Sequence, residues 1–298
     1  MLRKILAVPM ASMTSDRCGQ INNVLLLGAT GRLGGMLRRH WPTPADLRCQ
    51  SRQARPGFLA FDPLVQQRQA LASAQGVAAV ICLSGITPVT AAAGVSFDLN
   101  SDLALAAIDL AGCAGVPRVF VASSAAVYGR ALGALSEGQQ ATPVSDYGTS
   151  KLAMEQAARA AAQKAGVALT ILRIGNVAGA DAIVGGWRAG MQIDQFADGS
   201  TPRRSYIGPV TLARVLHHLT RAADLPEVLN IAAPGTVEMG ALLDAAGLAW
   251  RPRPATQGAI AQVALDTKAL ERHVDFAADS STPAGIVAEW RRDCDLQT

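Results

Sequence analysis

The 298-residue chain is poor in lysine and in aromatic side chains. The lysines are Lys4, Lys151, Lys164 and Lys268, and aromatic residues make up only 4% of the sequence. The core must therefore be built mainly from aliphatic side chains. Half of the residues are hydrophobic and 17% are charged, a composition that excludes wholesale disorder. Because lysine is rare, a lysine at a motif position is unusually informative.

Cysteine pairs and metal-ligating histidine patterns are also missing. The five cysteines lie far apart, and none forms a CxxC pair. Of the four histidines, His217 and His218 are neighbours and point in different directions on a helix. We therefore expect no metal site, and we expect reduced thiols in a cytoplasmic protein.

The sequence has neither a long apolar run nor a basic stripe. No run approaches the ~20 apolar residues that cross a bilayer, so we expect no membrane partner. The net charge of +4 comes from scattered arginines, which fits an anionic small molecule and does not indicate nucleic-acid binding. Residues 1–20 contain a short apolar stretch interrupted by Pro9, and we interpret them as an N-terminal extension rather than an export signal.

Continuous apolar runs alternate with helical patterns between residues 21 and 179. Such runs indicate a parallel sheet covered by helices on both faces. We predict an α/β fold, with a Rossmann-type doubly wound parallel sheet over 21–179 that binds a dinucleotide. After residue 180 the alternation of apolar runs and helical patterns ends. We expect 180–298 to form mainly a smaller, irregular substrate-binding lobe. The predicted strands are 21–27, 46–52, 58–63, 77–85, 118–129 and 168–179, and the predicted helices are 31–41, 96–115 and 147–166.

The stretch LLLGATGRLGG follows the first apolar run and contains three evenly spaced glycines. In a strand–turn–helix unit, Gly28 permits a tight turn, Gly31 lets the backbone approach a pyrophosphate, and Gly34 lets the helix pack closely. The helix N-terminus also favours phosphate. The spacing is GxxGxxG, so it matches the GxGxxG fingerprint only approximately, and simple packing is an alternative. The expected cofactor-binding residues of this loop are Gly28, Thr30, Gly31, Arg32, Leu33 and Gly34.

The choice of cofactor is expected at the end of the second strand. An acidic residue there binds the ribose of NAD, whereas a basic residue accepts the 2′-phosphate of NADP. The segment LRCQSRQARPG contains Arg52 and Arg55 and no Asp or Glu. It favours NADP, with NAD as the alternative; both arginines could also be ordinary surface residues.

A tyrosine and a lysine are spaced to share one helix face. In DYGTSK, Tyr147 and Lys151 are four residues apart, so both side chains can converge on one ligand. A nearby ammonium and a nicotinamide ring would favour the phenolate and make Tyr147 a useful acid or base. Ser124 ends an apolar strand, where a parallel sheet presents ligand-binding groups. Alternatively, Tyr147 and Lys151 lie on a solvated face and Ser124 caps backbone groups.

Four stretches together resemble the extended short-chain dehydrogenase/reductase superfamily, the group of NAD(P)-dependent sugar epimerases and dehydratases. The similarity covers almost the whole chain from residue 21. It extends to a strand near 228–233 that would return to the sheet, to the helix after it, and to a terminal helix, GIVAEWRRD. The four stretches are GATGRLG, VASSAAVYG, YGTSK and LRIGNVAG.

The resemblance implies roles for single residues. Ser124, Tyr147 and Lys151 would form the catalytic triad. Asp62 would contact adenine, and Ser84 and Gly85 would lie beside the cofactor. The family's long helices would form a homodimer through a four-helix bundle.

Two further positions resemble the substrate side of UDP-galactose 4-epimerase. Asn176 would contact substrate, and Arg204, in RRSYIGPVTLA, would face a nucleotide diphosphate or make a structural ion pair. This segment departs from the family pattern, because Ser205 and Thr211 replace aspartates and Gly208 replaces a histidine.

The leading hypothesis is an NAD(P)-dependent oxidoreductase. It would move a hydride between nicotinamide and a carbonyl or carbinol substrate, with Tyr147 as general acid/base, Lys151 lowering the pKa of Tyr147, and Ser124 polarising the substrate oxygen. One alternative is a nucleotide-sugar epimerase or dehydratase that uses NAD transiently. Another is a non-catalytic, NADP-sensing regulatory protein.

Overall fold

The computed structural model describes residues 23–297, so the expected N-terminal extension and the predicted strand start at Ile21 lie outside the described residues. Fifteen strands are found in this part of the chain. They are β1 Val24–Leu27, β2 Leu47–Ser51, β3 Leu59–Ala60, β4 Ala79–Cys82, β5 Arg118–Ser124, β6 Ala134–Leu135, β7 Ala168–Ile174, β8 Asn176–Val177, β9 Gln192–Gln195, β10 Arg203–Arg204, β11 Tyr206–Ile207, β12 Val228–Ile231, β13 Val237–Glu238, β14 Arg251–Pro254 and β15 Gln262–Leu265.

Nine α-helices accompany these strands within the described range, together with two 3₁₀ helices, Pro44–Asp46 and Ala125–Tyr128. The α-helices are α1 Arg32–His40, α2 Gln67–Ala74, α3 Pro88–Ala92, α4 Leu99–Ala114, α5 Asp146–Ala165, α6 Pro209–Leu219, α7 Met239–Ala246, α8 Lys268–Glu271 and α9 Pro283–Asp295.

Seven strands form one parallel sheet in the order β12-β7-β5-β4-β1-β2-β3. Its central strands, such as β1 and β4, are buried along their whole length. This burial explains why they are continuous apolar runs rather than alternating ones. The predicted doubly wound α/β fold is confirmed.

Two hydrophobic cores cover the two faces of this sheet. One contains side chains of α1 and α6, including Leu37 and Leu216, against β1 and β7. The other contains side chains of α4 and α5, including Ile108 and Met154, against the opposite face. Helix α6 and strand β12 follow residue 180 in the chain; α6 packs against the sheet, and β12 forms its edge beside β7. The C-terminal segment thus contributes to the central sheet and its covering layer as well as to a smaller core around Leu242.

The long helices end where glycine adopts a left-handed conformation. Helix α4 stops before Gly115, with φ +68°, and α5 stops before Gly166, with φ +66°. Glycine has no Cβ to oppose a positive φ, and both residues close the helix through their backbone N–H groups. At the other end of α5, the Ser145 hydroxyl accepts a hydrogen bond from Gly148 N at 3.2 Å.

Several predicted boundaries are wrong. The strand predicted over 118–129 ends at Ser124, because the Ser124 hydroxyl caps the 3₁₀ helix that follows. The strand predicted over 168–179 divides into β7 and β8, and β8 pairs with β11 instead of the central sheet. Helix α2 was not predicted; it has eight residues and buries only two alanines, Ala70 and Ala74.

Candidate active site

The carboxyl end of β5 and the N-terminal turn of α5 bring Ser124 and Tyr147 together, and Lys151 lies one turn further along α5. Gly148 allows this approach, because a Cβ there would lie 2.6 Å from the carbonyl oxygen of Ala126 in the 3₁₀ helix. The Ser124 side chain hydrogen-bonds that of Tyr147. The ring of Phe97 packs beside Tyr147, with centroids 6.0 Å apart.

The electrostatics of this trio are dominated by burial. Burial raises the pKa of the Tyr147 phenol, while the hydrogen bond with Ser124 lowers it. Burial lowers the pKa of Lys151 to about 8, and the acidic groups of Cys82 and Glu155 act in the opposite direction. The Lys151 ammonium donates to Ala122 O at 2.9 Å. The protein chain by itself therefore does not produce the lowered tyrosine pKa that the Tyr147–Lys151 spacing predicts.

Asn100 is a buried polar residue of this region that the sequence analysis missed. Its Oδ1 accepts from Ile86 N at 2.9 Å, and its Nδ2 donates to Ser150 Oγ at 3.1 Å. A Cβ on Gly85 would lie 2.9 Å from Asn100 Oδ1 and 3.1 Å from Lys151 Nζ. Asn100 thus holds the segment after β4 against α5. An asparagine in the apolar pattern of α4 was the available signal.

The glycine loop has the backbone geometry of a tight turn. Gly28 has φ +79°, and a Cβ there would lie 2.6 Å from Ser84 N. A Cβ on Gly34 would lie 2.6 Å from the Cα of Ala29, so this glycine lets α1 pack against the loop. Gly31 precedes α1 and offers no side-chain cap to its first N–H groups. Thr30 and Arg32 are exposed and Leu33 is half-buried.

Gln50 is a second residue that the sequence analysis missed. It is buried in β2, where its Oε1 accepts from Gly28 N at 3.1 Å and its Nε2 donates to Phe61 O at 2.6 Å. Gln50 thus ties the glycine loop to the segment after β3. A polar residue inside a buried parallel strand was the signal that marked it.

The residues expected around the adenosine occupy different environments. Arg52 and Arg55 follow β2 and are exposed. Asp62 follows β3, and its carboxylate accepts a hydrogen bond from Leu64 N at 2.9 Å. The carboxyl end of β2 thus carries basic rather than acidic side chains.

On the expected substrate side, Asn176 and Tyr206 lie on the paired strands β8 and β11. The Tyr206 hydroxyl donates to Asp181 Oδ2 at 2.9 Å and is also hydrogen-bonded by the Asn176 side chain. Burial raises the pKa of Asp181 and raises that of Tyr206 well above its ordinary value. Asn176 is therefore held in place by a buried phenol.

Arg204 does not make the structural ion pair that was an alternative for it. Its guanidinium donates to Arg203 O at 2.7 Å and to Ile260 O at 3.0 Å. Burial lowers its pKa, and in residues 23–297 no carboxylate is among the groups that shift this pKa. The neighbouring Arg203 makes the ion pair instead, with Glu238 at 2.8 Å.

The three departures from the epimerase segment have structural roles. Ser205 Oγ donates to Gly235 O at 3.0 Å and accepts from Leu265 N at 2.9 Å. Gly208 leaves room for Glu289 of α9, which a Cβ would overlap. The Glu289 carboxylate accepts from Thr211 N at 2.8 Å and from its hydroxyl at 2.5 Å, which caps α6.

Neither a metal cluster nor a membrane-spanning helix is found in the described part of the chain. Between residues 23 and 297, no group of three or more His, Cys, Asp and Glu side chains is arranged to hold a metal ion. No helix in the same range is long and apolar enough to span a bilayer.

A seven-stranded parallel sheet with helices on both faces defines a Rossmann-type α/β protein. A model of the NAD dependent epimerase/dehydratase family matches residues 24–232. The chain belongs to this family, and the resemblance predicted from its motifs is confirmed. No curated protein matches the chain.

Solved structures of several sugar-nucleotide enzymes share the fold. MoeE5, in complex with UDP-glucuronic acid and NAD, is 23% identical with a TM-score of 0.72, covering 93% of this chain and 100% of its own. DesIV, a dTDP-glucose 4,6-dehydratase from Streptomyces venezuelae with NAD bound, is 20% identical with a TM-score of 0.71 and coverages of 92% and 98%. UDP-glucose 4-epimerase from Thermus thermophilus, in complex with NAD, is 18% identical with a TM-score of 0.69 and coverages of 90% and 99%.

Proposed function

We propose that the protein is a nucleotide-sugar epimerase or dehydratase that removes a hydride from its substrate and later returns it. The observation that carries this proposal is Arg204, a partly buried guanidinium that, within residues 23–297, donates to the backbone carbonyls of Arg203 and Ile260 and to no carboxylate. A partly desolvated guanidinium that lacks a carboxylate partner retains its positive charge for an anion, and arginine suits phosphate. Asn176 would contact the same substrate. The sugar nucleotides bound by the structural neighbours support this class.

The glycine loop fits a dinucleotide. Gly28 and Gly34 lie where no Cβ can be accommodated, and the uncapped first turn of α1 offers backbone N–H groups to phosphate. Gly31, Thr30, Arg32 and Leu33 would complete the loop. When bound, the dinucleotide supplies a hydride acceptor. Asp62, Ser84 and Gly85 would lie beside it, as the family resemblance implies.

The chain's own residues would handle the proton and the substrate oxygen. Tyr147 would take the hydroxyl proton as the hydride leaves and give it back on return. Ser124 would hydrogen-bond the same oxygen, since its side chain already contacts that of Tyr147. Lys151 would hold the nicotinamide ribose and supply positive charge beside the phenol.

A second candidate is an oxidoreductase that uses NADP as an exchangeable cosubstrate. Arg52 and Arg55, with no acidic residue in LRCQSRQARPG, are the observation that favours it. Basic side chains at the end of β2 are suited to a 2′-phosphate. Under this candidate the substrate is a small carbonyl or carbinol compound.

Denaturing the purified protein and measuring the released nucleotide separates the two candidates. An epimerase or dehydratase of this kind regenerates its cofactor in every cycle, so we expect NAD(H) in near-stoichiometric amounts. A protein that releases no nucleotide and then binds NADPH more tightly than NADH would contradict the proposal and favour the oxidoreductase. Arg52→Ala and Arg55→Ala should weaken NADPH binding only in that second case.

We also propose a homodimer formed through α4 and α5. These helices pack against each other, and a groove lined by Leu105, Gly112 and Ala161 runs along their outer side. Most of the groove is lined by small or apolar side chains, with Asp109 and Lys164 also present, and such a surface suits a four-helix bundle. Light scattering is expected to give twice the chain mass, and a monomer mass at micromolar concentration would contradict the proposal.

A further inference from the structure

A buried ion pair lies one helical turn beyond Lys151. Glu155 of α5 is fully buried, and Arg173 of β7 is 4% exposed. Arg173 Nε and Nη2 donate to Glu155 Oε1 and Oε2 at 3.0 and 2.8 Å. Ser123 Oγ donates to Glu155 Oε1 at 2.6 Å. One carboxylate therefore joins the catalytic helix to two central strands.

Arg173 extends this network toward the C-terminal part of the fold. Its Nη1 donates to the Tyr128 hydroxyl at 3.0 Å, and that hydroxyl donates to Asn230 Oδ1 at 2.8 Å. Asn230 Nδ2 donates to Leu135 O and Asp266 O at 2.8 and 3.0 Å. The network thus connects α5 to β12, to β6 and to the segment after β15.

The network touches the candidate catalytic residues at three points. Ser123 precedes Ser124 on β5, and Tyr128 ends the 3₁₀ helix that Ser124 caps. Glu155 follows Lys151 by one turn of α5. Stability alone is a poor explanation for a buried ion pair, since apolar residues of similar volume often serve as well. Its position against all three elements indicates a role in holding them.

Few charged groups face the Lys151 ammonium. Glu155 lies on the same helix, and β4 contributes the Cys82 thiol. The other close polar groups, the Asn100 amide of α4 and the Ala122 carbonyl of β5, are neutral. Of the two groups that raise the pKa of Lys151, Cys82 has the larger effect, but only as a thiolate, and burial raises the pKa of that thiol to about 11. Near neutral pH the Glu155 carboxylate is therefore the negative charge that favours protonated Lys151.

Besides Lys151, two arginines carry charge close to Glu155 in the described part of the chain. Arg173 forms the bidentate pair, and Arg159 of α5 places its Nη2 3.7 Å from Oε2. The Arg159 side chain is 33% exposed and also pairs with Glu227 near the surface. Arg159 thus offers a matched control, because it contacts the same carboxylate while its own hydrogen bond goes to Glu227 near the surface.

We propose that Glu155 and Arg173 are positioning residues, which hold Ser124 and Lys151 in register and keep the Lys151 ammonium charged during the reaction. The proposal rests on the proposed function for its effect on turnover. Its effect on Lys151 can be measured without any substrate. Glu155→Gln retains the size of the side chain and removes the charge, and the double variant Glu155→Leu/Arg173→Met removes both charges so that neither is left buried alone.

The test combines turnover with a direct titration of lysine. The sequence has four lysines, so protein labelled at lysine with ¹³C and ¹⁵N gives few side-chain signals, and Lys151→Met assigns the one of interest. In Glu155→Gln we expect the Lys151 signal to titrate at lower pH than in the wild type. In the double variant we expect a smaller shift in the same direction, because loss of the Arg173 cation offsets part of the loss of the carboxylate. We expect kcat to fall ~10–100-fold with little change in KM, and the alkaline limb of the kcat pH profile to move to lower pH. Arg159→Met should leave all three readouts unchanged.

Each outcome decides the proposal. Wild-type turnover and an unchanged Lys151 titration in a folded variant would overturn it. If neither variant folds, the Glu155–Arg173 pair is required for folding, and the proposal is also overturned. If the wild type turns over no nucleotide sugar, the proposed function fails, whereas a Lys151 signal that still depends on Glu155 keeps the electrostatic half of the inference.

Discussion

Replacement of Tyr147 by phenylalanine is expected to lower kcat by ~10²–10⁴-fold, the range for loss of a general acid/base. The substitution removes one oxygen and keeps the ring, so the contact with Phe97 is retained. The phenol is the group that Ser124 hydrogen-bonds at the end of β5. The measurement is steady-state turnover of the substrate identified by screening UDP- and dTDP-sugars.

The control for Tyr147→Phe is the state of the folded protein. Thermal unfolding and the amount of bound dinucleotide should match those of the wild type, because the glycine loop and α1 are untouched. Wild-type turnover in a folded variant would show that another group moves the proton. Loss of the bound dinucleotide would instead show that Tyr147 is needed to bind the cofactor.

The central sheet could be predicted because its signals are local. Buried parallel strands such as β1 and β4 are continuous apolar runs, and Gly115 and Gly166 mark the helix ends directly in the sequence. The short strands of the C-terminal part could not be predicted in this way. Strands β10 and β11 have two residues each, which is too short for any periodicity, and long-range pairing alone defines them.

Within the candidate site, the predicted residues are those of short motifs, and the missed ones act across the fold. Gly28, Tyr147 and Lys151 stand in patterns that span a few residues. Gln50 reaches Gly28 from 22 residues away, and Asn100 reaches Ser150 from 50 residues away. No local spacing encodes such contacts. The signal in the sequence was a polar residue within a stretch of apolar residues.

Gly28→Ala is expected to cost several kcal/mol of unfolding free energy and to abolish dinucleotide binding. A left-handed conformation costs an alanine roughly 1–2 kcal/mol. In addition, the new Cβ would lie 2.6 Å from Ser84 N and 3.0 Å from Leu83 C, so the backbone of the two loops must separate. Overpacking of this kind adds about 1–3 kcal/mol. Chemical denaturation and calorimetric titration with NAD(H) and NADP(H) measure the two effects.

Gly76→Ala is the control that separates the cost of a positive φ for alanine from the cost of the overlap with Ser84. Gly76 has φ +69°, similar to +79° at Gly28, but nothing lies within 4 Å of its Cβ position. The gain from a less flexible unfolded chain is common to both variants and cancels in their difference. Gly76→Ala should therefore show the conformational cost less this gain, without any contact cost, and should retain dinucleotide binding. Equal destabilisation of the two variants, or full dinucleotide affinity in Gly28→Ala, would show that the Gly28–Ser84 approach is not what the cofactor site requires.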